Sequence, residues 1–283
     1  MPNDLRQSLP KIMGVINVTP DSFSDGGRFA GVEAAVRQAR RLVEEGADIL
    51  DIGGESTRPG ARTVPVAEEL RRVVPAVAAI RAAFAEADQE PLISVDTRKP
   101  EVAREAIHEG ADIWNDVSAL TYGGDSLSVA AELGCDLVLM HAKGSPETMQ
   151  DDPRYADPVG EIARWLEGRL RACEARGIEP GQVTLDPGIG FGKRLEDNLA
   201  ILASVGSFAV EGCRVLIGAS RKSFIGKLDG SKVGDRLGGS VAAAVLAAQG
   251  GADVIRVHDV AQTRQALIVA QAVMRANASA SGA

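Results

Sequence analysis

The chain alternates short apolar runs with longer helical patterns eight times, and this alternation constrains its fold more than any other feature. The short runs are rich in β-branched residues and have the length of buried strands. They predict strands over Lys11–Val18, Asp48–Ile52, Pro91–Val95, Ile113–Val117, Asp136–Met140, Val183–Leu185, Arg214–Ile217 and Asp253–Val257. The longer segments predict helices over Val32–Glu45, Val66–Ala87, Pro100–Glu109, Ser126–Leu133, Pro158–Arg176, Leu195–Ala203, Leu237–Gln249 and Val260–Arg275.

Eight strand–helix units in 283 residues predict an α/β protein with a single (β/α)8 TIM barrel over residues 1–283. The barrel core is expected over about residues 11–275, and the last residues, about 276–283, are rich in Ala, Ser and Gly and are expected to be disordered. The same alternation fits a doubly wound open sheet, but no strong dinucleotide fingerprint follows the first strand. The barrel is therefore the favoured prediction.

Charge, apolar content and cysteine spacing limit the classes of partner that this chain is expected to bind. A formal net charge of −8 without a Lys/Arg-rich run disfavours nucleic acid. No stretch approaches the roughly 18 apolar residues of a membrane span. The cysteines Cys135, Cys173 and Cys213 are widely spaced and indicate neither a disulfide framework nor a zinc site, which favours the cytoplasm. We therefore expect a small-molecule partner.

A Gly-x-Asp pattern recurs between predicted helices and the strands that follow them. It begins at Gly46, Gly110, Gly134 and Gly251. Glycine after the last helical turn is typical of a helix C-cap, since it readily adopts the left-handed conformation needed there. The pattern predicts that these helices end at the glycines.

Nearly every predicted strand ends on a polar residue, and in a barrel these ends form one face where substrates bind. The polar groups are Asn17, Glu55, Asp96, Asn115, His141, Asp186, the run Ser220-Arg221-Lys222, Arg256 and His258. Any one of these residues alone is more typical of a polar loop residue whose hydrogen bonds are made within the protein. Their concentration predicts a site for an anionic small molecule at the mouth of the barrel.

Strand order divides these groups into two sets. Arg256 and His258 share a face of the last strand, which closes against Asn17 on the first, and such donors suit a phosphate or pyrophosphate. An ion pair of Arg256 with Asp96 or Asp186 is the alternative. The second set is Asp96, Asn115, Asp186 and Lys222, whose acceptors and donors suit the edge of a fused pyrimidinone.

Two long loops after the first and second strands, over residues 19–27 and 55–61, are polar and rich in Gly and Pro. They are candidate mobile lids over the mouth, with plain surface turns as the alternative. Gly188–Lys193 is also glycine-rich, but it lacks the Walker spacing. We interpret it as a tight loop that positions Phe191.

Long motifs throughout the chain resemble those of the dihydropteroate synthase family of pterin-binding TIM barrels. They lie at Gly14–Gly27, Asp51–Ala61, Ser94–Thr97, Asn115–Ser118, Leu185–Lys193, Ser220–Ser223 and Arg256–Asp259. The resemblance implies a transferase of folate biosynthesis, usually a homodimer, that is a sulfonamide target. Its reaction joins 6-hydroxymethyl-7,8-dihydropterin pyrophosphate to p-aminobenzoate by a dissociative substitution, giving 7,8-dihydropteroate and pyrophosphate.

The resemblance also implies residue roles, with Asp96, Lys222, Arg256 and Asn17 as catalytic residues. The pterin would be bound by Asp96, Asn115, Asp186 and Lys222. Pyrophosphate would be bound by Asn17, Thr57, Arg58, Arg256 and His258, and p-aminobenzoate by Phe23, Arg58, Pro59, Phe191, Lys222 and Ser223. Mg²⁺ would be held by Asn17, with Asp25 as a second candidate ligand.

Two rival interpretations share the pterin-binding barrel. A methyltetrahydrofolate-dependent methyltransferase uses a similar Asp and Asn set but lacks the Ser-Arg-Lys-Ser run and the two loop motifs. A paralogue that binds pterin without turnover is disfavoured by the intact Asp96, Lys222 and Arg58. Product formation would exclude both.

Overall fold

In the computed structural model, eight parallel strands form a closed barrel. The strands are β1 Lys11–Asn17, β2 Ile49–Gly53, β3 Leu92–Asp96, β4 Ile113–Asp116, β5 Asp136–Met140, β6 Val183–Asp186, β7 Arg214–Ile217 and β8 Val254–Val257. Each strand pairs with the next one along the chain, and β8 pairs with β1. The predicted barrel is confirmed, and the open sheet is excluded.

The structure describes residues 4–5, 7–19, 27–56, 61, 63–87, 90–144, 149 and 153–281. Most of the two predicted lid loops, including residues 20–26 and 57–60, lies outside this set. Among the described helices, none combines the length and the apolar composition that a transmembrane segment requires.

Helices cover the outside of the barrel. They are α1 Gly27–Glu44, α2 Val66–Phe84, α3 Pro100–His108, α4 Ser126–Leu133, α5 Pro158–Glu174, α6 Leu195–Ala203, α7 Ser223–Asp229, α8 Leu237–Gln249 and α9 Val260–Ser281. The sequence did not predict α7. The expected disorder from Ala276 is wrong as far as Ser281, because α9 continues through an Ala-rich segment that has no helix breaker before Gly282.

Alternation along each strand separates the barrel interior from the layer under the helices. Six inward-facing apolar residues form a buried cluster of their own at the amino ends of the strands: Met13, Ile49, Ile113, Val138, Leu216 and Val254. Outward-facing residues such as Leu50, Ile52 and Val95 belong to the larger core shared with the helices. The polar inward positions lie above the apolar cluster, towards the carboxyl ends of the strands.

The predicted glycine caps have the expected left-handed backbone, with φ of 99° at Gly46, 106° at Gly110, 63° at Gly134 and 100° at Gly251. The aspartates of three of these patterns have a role that the sequence did not suggest. Each carboxylate accepts the backbone N–H of a residue in the preceding strand: Asp48 from Ile12 at 2.8 Å, Asp112 from Ile93 at 2.7 Å, and Asp253 from Val215 at 2.7 Å. These bonds close the floor of the barrel.

Candidate active site

Inward-facing polar residues converge at the carboxyl ends of the strands. The register places Asp96 of β3 beside Gly53 of β2 and Asn115 of β4. Asp186, at the end of β6, lies beside Met140 of β5. Because these positions share the inward parity, the pterin-binding residues expected from the sequence lie around one mouth.

The remaining described candidates surround the same opening. Asn17 ends β1, Arg256 lies on β8, and His258 follows that strand. Lys222 and Ser223 lie where β7 leads into α7, and Phe191 lies in the loop after β6. Phe23, Asp25, Thr57, Arg58 and Pro59 lie outside the described residues.

Arg256 links two buried carboxylates across the mouth. Its Nε donates to Asp51 Oδ2 at 2.6 Å, and Nη2 donates to Asp96 Oδ2 at 2.7 Å. Burial lowers the pKa of Arg256, but the two carboxylates outweigh this and raise it above its usual value. The alternative ion pair between Arg256 and Asp96 is therefore present, and Asp51 extends it.

Asp51 is a site residue that the strand-end argument did not identify. It is fully buried in the middle of β2 and, besides Arg256, accepts the Asn115 amide at 3.3 Å on both oxygens. Because Arg256 and Asn115 both depend on it, Asp51 joins the two predicted sets of residues. The available signal was a single carboxylate at an inward position of an otherwise apolar strand.

The two carboxylate oxygens of Asp96 differ in their contacts, since Oδ2 accepts from Arg256. Oδ1 is buried and has no hydrogen-bond partner among the described residues. Burial raises the pKa of Asp96, Arg256 opposes this shift and Asp51 adds to it, and the net result is a pKa of about 7. An oxygen of this kind is costly unless a ligand donor satisfies it.

Asp186 and Lys222 form the opposite side of the mouth. Asp186 Oδ1 accepts the Gly188 N–H at 2.7 Å, and burial raises the pKa of Asp186 while Lys222 opposes the shift. Burial lowers the pKa of Lys222 to about 8, against the attraction of Asp186. The Lys222 ammonium donates to the Ile189 carbonyl and lies 4.7 Å from the centre of the Phe191 ring. A ring placed here could be bound by a cation and an aromatic face together.

The glycine-rich loop after β6 is tight because other groups approach its backbone closely. A Cβ on Gly188 would lie 2.0 Å from the His141 carbonyl oxygen, and one on Gly192 would lie 2.2 Å from that of Lys143. Both glycines have positive φ. This agrees with the interpretation of the segment as a tight positioning loop.

A buried lysine anchors the same loop. Lys193 Nζ lies 2.9 Å from the Phe191 carbonyl, 3.2 Å from the His141 carbonyl and 3.0 Å from His141 Nδ1. Burial lowers the pKa of Lys193 to about 7, and burial with the nearby Lys193 lowers that of His141 to about 3. His141 is therefore neutral and acts as a structural acceptor between two loops.

The loops after β7 and β8 are bonded to each other beside the proposed anion site. Ser220 Oγ accepts the His258 backbone N–H at 3.3 Å and lies 3.1 Å from His258 Nδ1. The serine hydroxyl can either donate to Nδ1 or accept from it, so this contact orients the His258 ring in both tautomers.

A cleft of about 410 Å³ opens beside Phe191. Its other walls include Ser118, Tyr122 and Trp165, with Arg98 stacked 4.4 Å from the Tyr122 ring centre. Aromatic faces next to the polar cluster suit a flat, partly apolar ligand.

In the part of the chain that the structure describes, no group of three or more His, Cys, Asp or Glu side chains could hold a metal ion. A Mg²⁺ ion needs no such cage when substrate phosphates and water supply most of its ligands. The single amide oxygen of Asn17, at the end of β1, fits that arrangement.

Comparison with known proteins gives a consistent result. The family described as pterin binding enzyme matches residues 13–258. The dihydropteroate synthase of Escherichia coli K12 is 48% identical over 269 residues, which cover 95% of this chain and 93% of that protein.

Two solved structures share the fold at high identity. Dihydropteroate synthase from Yersinia pestis, in a sulfonamide drug complex, is 43% identical with a TM-score of 0.87 and covers 96% of both chains. That from Xanthomonas albilineans, with 4-aminobenzoic acid, is 50% identical with a TM-score of 0.86 and covers 94% of both chains.

Proposed function

This chain belongs to the pterin-binding enzymes and, among them, to the dihydropteroate synthases, and we propose that its barrel mouth carries out the synthase reaction by a dissociative substitution. The substrates are 6-hydroxymethyl-7,8-dihydropterin pyrophosphate and p-aminobenzoate. Sulfonamides would compete with the second of these. The similar proteins with 4-aminobenzoic acid and with a sulfonamide support these ligands.

The buried Oδ1 of Asp96, which has no hydrogen-bond partner in the part of the chain that the structure describes, carries the proposal for the pterin site. A pterin edge that presents N–H donors would satisfy Oδ1, while Asn115 and Asp186 would take further donors and acceptors around the ring. Lys222 would lie next to both the pterin and the second substrate, because it neighbours Asp186 and the Phe191 ring.

The reaction begins with loss of the leaving group. The C–O bond to the exocyclic methylene breaks, and its electron pair leaves with pyrophosphate. The amine nitrogen of p-aminobenzoate then forms the C–N bond, and its proton is released to solvent. Positive charge develops on the pterin, and the buried Asp96 and Asp51 would stabilise it because fixed charges act strongly away from water.

Asn17, Arg256 and His258 would hold the pyrophosphate. Arg256 has five N–H donors, of which Asp51 and Asp96 account for two, so the guanidinium can bind an anion without releasing either carboxylate. Thr57 and Arg58 would complete this site.

Asn17 would provide a protein ligand for Mg²⁺, and Asp25 remains a second candidate. When bound with the leaving group, the ion neutralises negative charge on the phosphates. For p-aminobenzoate, the flanking side chains would be Phe191, Lys222 and Ser223 together with Phe23, Arg58 and Pro59.

We further propose a cytoplasmic homodimer. The described cysteines are free thiols, which fits a reducing compartment. Seven exposed apolar residues lie between α7 and α9: Leu228, Val233, Leu237, Leu246, Ile268, Val269 and Val273. We call these residues the α7–α9 face and propose that they contribute to the subunit contact, because exposed apolar side chains are typical of such contacts.

A coupled assay tests the function. Pyrophosphate release would be measured from the dihydropterin pyrophosphate with Mg²⁺, with and without p-aminobenzoate, and dihydropteroate would be identified as the product. Formation of both products supports the synthase. Pterin binding without either product would instead favour the inert paralogue or the methyltransferase.

A further inference from the structure

Arg221 has a backbone conformation that its side chain disfavours. Among the described residues, three that are not glycine have positive φ: Ala119, Leu120 and Arg221, the last at 58°. A residue with a Cβ enters this region only when its surroundings compensate for the strain. Arg221 lies between Ser220 and Lys222, so its conformation fixes how the chain passes through the edge of the active site.

Three residues hold Arg221 at each polar position: Ser240 of α8, Arg236 just before α8, and Asp259 in the loop after β8. Its backbone N–H donates to Ser240 Oγ at 2.8 Å, and its carbonyl accepts from Arg236 Nη1 at 3.1 Å. Its guanidinium donates through Nε to Asp259 Oδ2 at 3.0 Å and through Nη2 to the other carboxylate oxygen. Three separate residues therefore maintain one strained backbone conformation.

The residues on either side of Arg221 point into the site. Ser220 is bonded to His258, and Lys222 lies between Ile189 and the Phe191 ring. A change of φ at Arg221 would move both side chains at once, because they are its immediate chain neighbours.

We propose that Ser240, Arg236 and Asp259 are positioning residues for dihydropteroate synthesis. They hold Arg221 in the left-handed conformation, which sets the spacing between Lys222, at the pterin and p-aminobenzoate side, and His258, at the pyrophosphate side. The inference rests on the proposed roles of Lys222 and His258. The strained residue and its holders lie outside the substrate contacts described above.

Glycine tests this role directly, because it adopts positive φ without strain. Steady-state kinetics and thermal melts would be compared for Arg221→Gly, Arg221→Ala, Ser240→Ala and the double variant Ser240→Ala/Arg221→Gly. We expect Ser240→Ala to lower kcat about tenfold, because the Arg221 N–H loses its acceptor and the Arg236 carbonyl loses its donor. Arg221→Gly should retain activity that Arg221→Ala loses, and the double variant should recover to within about twofold of Arg221→Gly alone.

Ser126→Ala is the matched control. Ser126 is also a buried serine whose hydroxyl accepts a loop N–H, from Gly123 at 3.2 Å, but that glycine does not have positive φ. Its kcat should stay within about twofold of the parent even if its melting temperature falls. A merely structural role for Ser240 would give the same pattern as this control.

Wild-type turnover for Ser240→Ala, or equal losses in Arg221→Gly and Arg221→Ala, would overturn the inference. So would a double variant that stays as slow as Ser240→Ala. If Ser240→Ala does not fold, the comparison of Arg221→Gly with Arg221→Ala still tests whether the conformation at this position sets kcat. The wild type and Lys222→Met, assayed in parallel, separate other failures: an inactive wild type refutes the function, and a fully active Lys222→Met refutes the site assignment that underlies the inference.

Discussion

Asp96 lies at the mouth of the barrel with one carboxylate oxygen held in place and the other facing the site. Arg256 holds Oδ2, so the plane of the carboxylate is set before a ligand arrives, while Oδ1 lacks a partner among the described residues. Asp51 holds the same arginine and the Asn115 amide from beneath. This arrangement is preorganised, since little side-chain reorientation remains for the ligand to induce.

Replacing Asp96 with asparagine should keep the fold and remove most turnover. Asparagine has nearly the same shape but lacks the charge that stabilises a cationic pterin, so kcat should fall by about 10²-fold or more. Circular dichroism and a thermal melt would verify folding, and dihydropteroate formation would be measured. Near-normal turnover in a folded Asp96→Asn enzyme would refute the role.

The activity should depend on the ionisation of Asp96 in the free enzyme. Its pKa is raised to about 7 by burial, so the neutral form predominates below that pH and the charged form above it. Because the charged form is the one that stabilises a cation, kcat/KM should rise as pH increases through about 7. A kcat/KM that stays constant from about 1.5 pH units below this midpoint to about 1 pH unit above it would contradict the assignment.

At the residue scale, the sequence predicts much of the site because the carboxyl ends of the predicted strands can be located in it. Asp96, Asn115 and Asp186 follow clear apolar runs, so their shared edge could be inferred. The partner of Arg256 could not be inferred from the sequence. Asp96 and Asp186 both end strands, and only the closed barrel shows that Asp96 lies next to Arg256. Asp51 was missed because a carboxylate inside an apolar run has no distinctive spacing.

At the element scale, the floor of the barrel is joined by aspartates. Asp48, Asp112 and Asp253 each lie just before one strand and bond the backbone of the strand before it. These bonds lie at the end of the barrel opposite the active site, so they contribute to stability and do not contact substrate.

Asp112→Ala should therefore lower the free energy of unfolding without lowering kcat. The change leaves the Ile93 N–H without its acceptor and also removes the ion pair with Arg81, so we expect a loss of about 1–3 kcal/mol in the free energy of unfolding. Urea unfolding and kcat would be measured on the same preparation. A kcat that fell in proportion to stability would show that floor and mouth are coupled.

Element prediction gave the bounds of α4, α6 and α8 as the structure has them. The seven-residue α7 was missed because it spans about two turns and has Gly226 in its interior, which weakens the helical pattern. The end of α9 was misjudged because Ala and Ser are compatible with both helix and linker.

At the scale of the whole molecule, the α7–α9 face should decide the oligomeric state. Leu246 is 57% exposed on α8, and a carboxylate there would be buried without a partner in a dimer. Leu246→Glu should shift the protein to monomer in sedimentation velocity. Leu199→Glu, at a 39% exposed leucine on α6, is the matched control and should leave the state unchanged. If the wild type is already monomeric, the proposed contact is wrong.

The aspartate bonds of the floor also divide the barrel into units that could be rearranged. They join β1 with β2, β3 with β4, and β7 with β8, each within one continuous stretch of chain. The amino-terminal segment lies against α9, since Gln271 Nε2 donates to the Leu5 carbonyl at 2.9 Å and Arg275 Nη2 donates to the Gln7 carbonyl at 3.1 Å. A circular permutant opened in residues 209–213, before β7, would keep every such pair contiguous, whereas one opened between β7 and β8 would separate Asp253 from Val215 along the chain. The first permutant should therefore fold more readily than the second, so the aspartate bonds indicate where new chain termini can be introduced into this barrel.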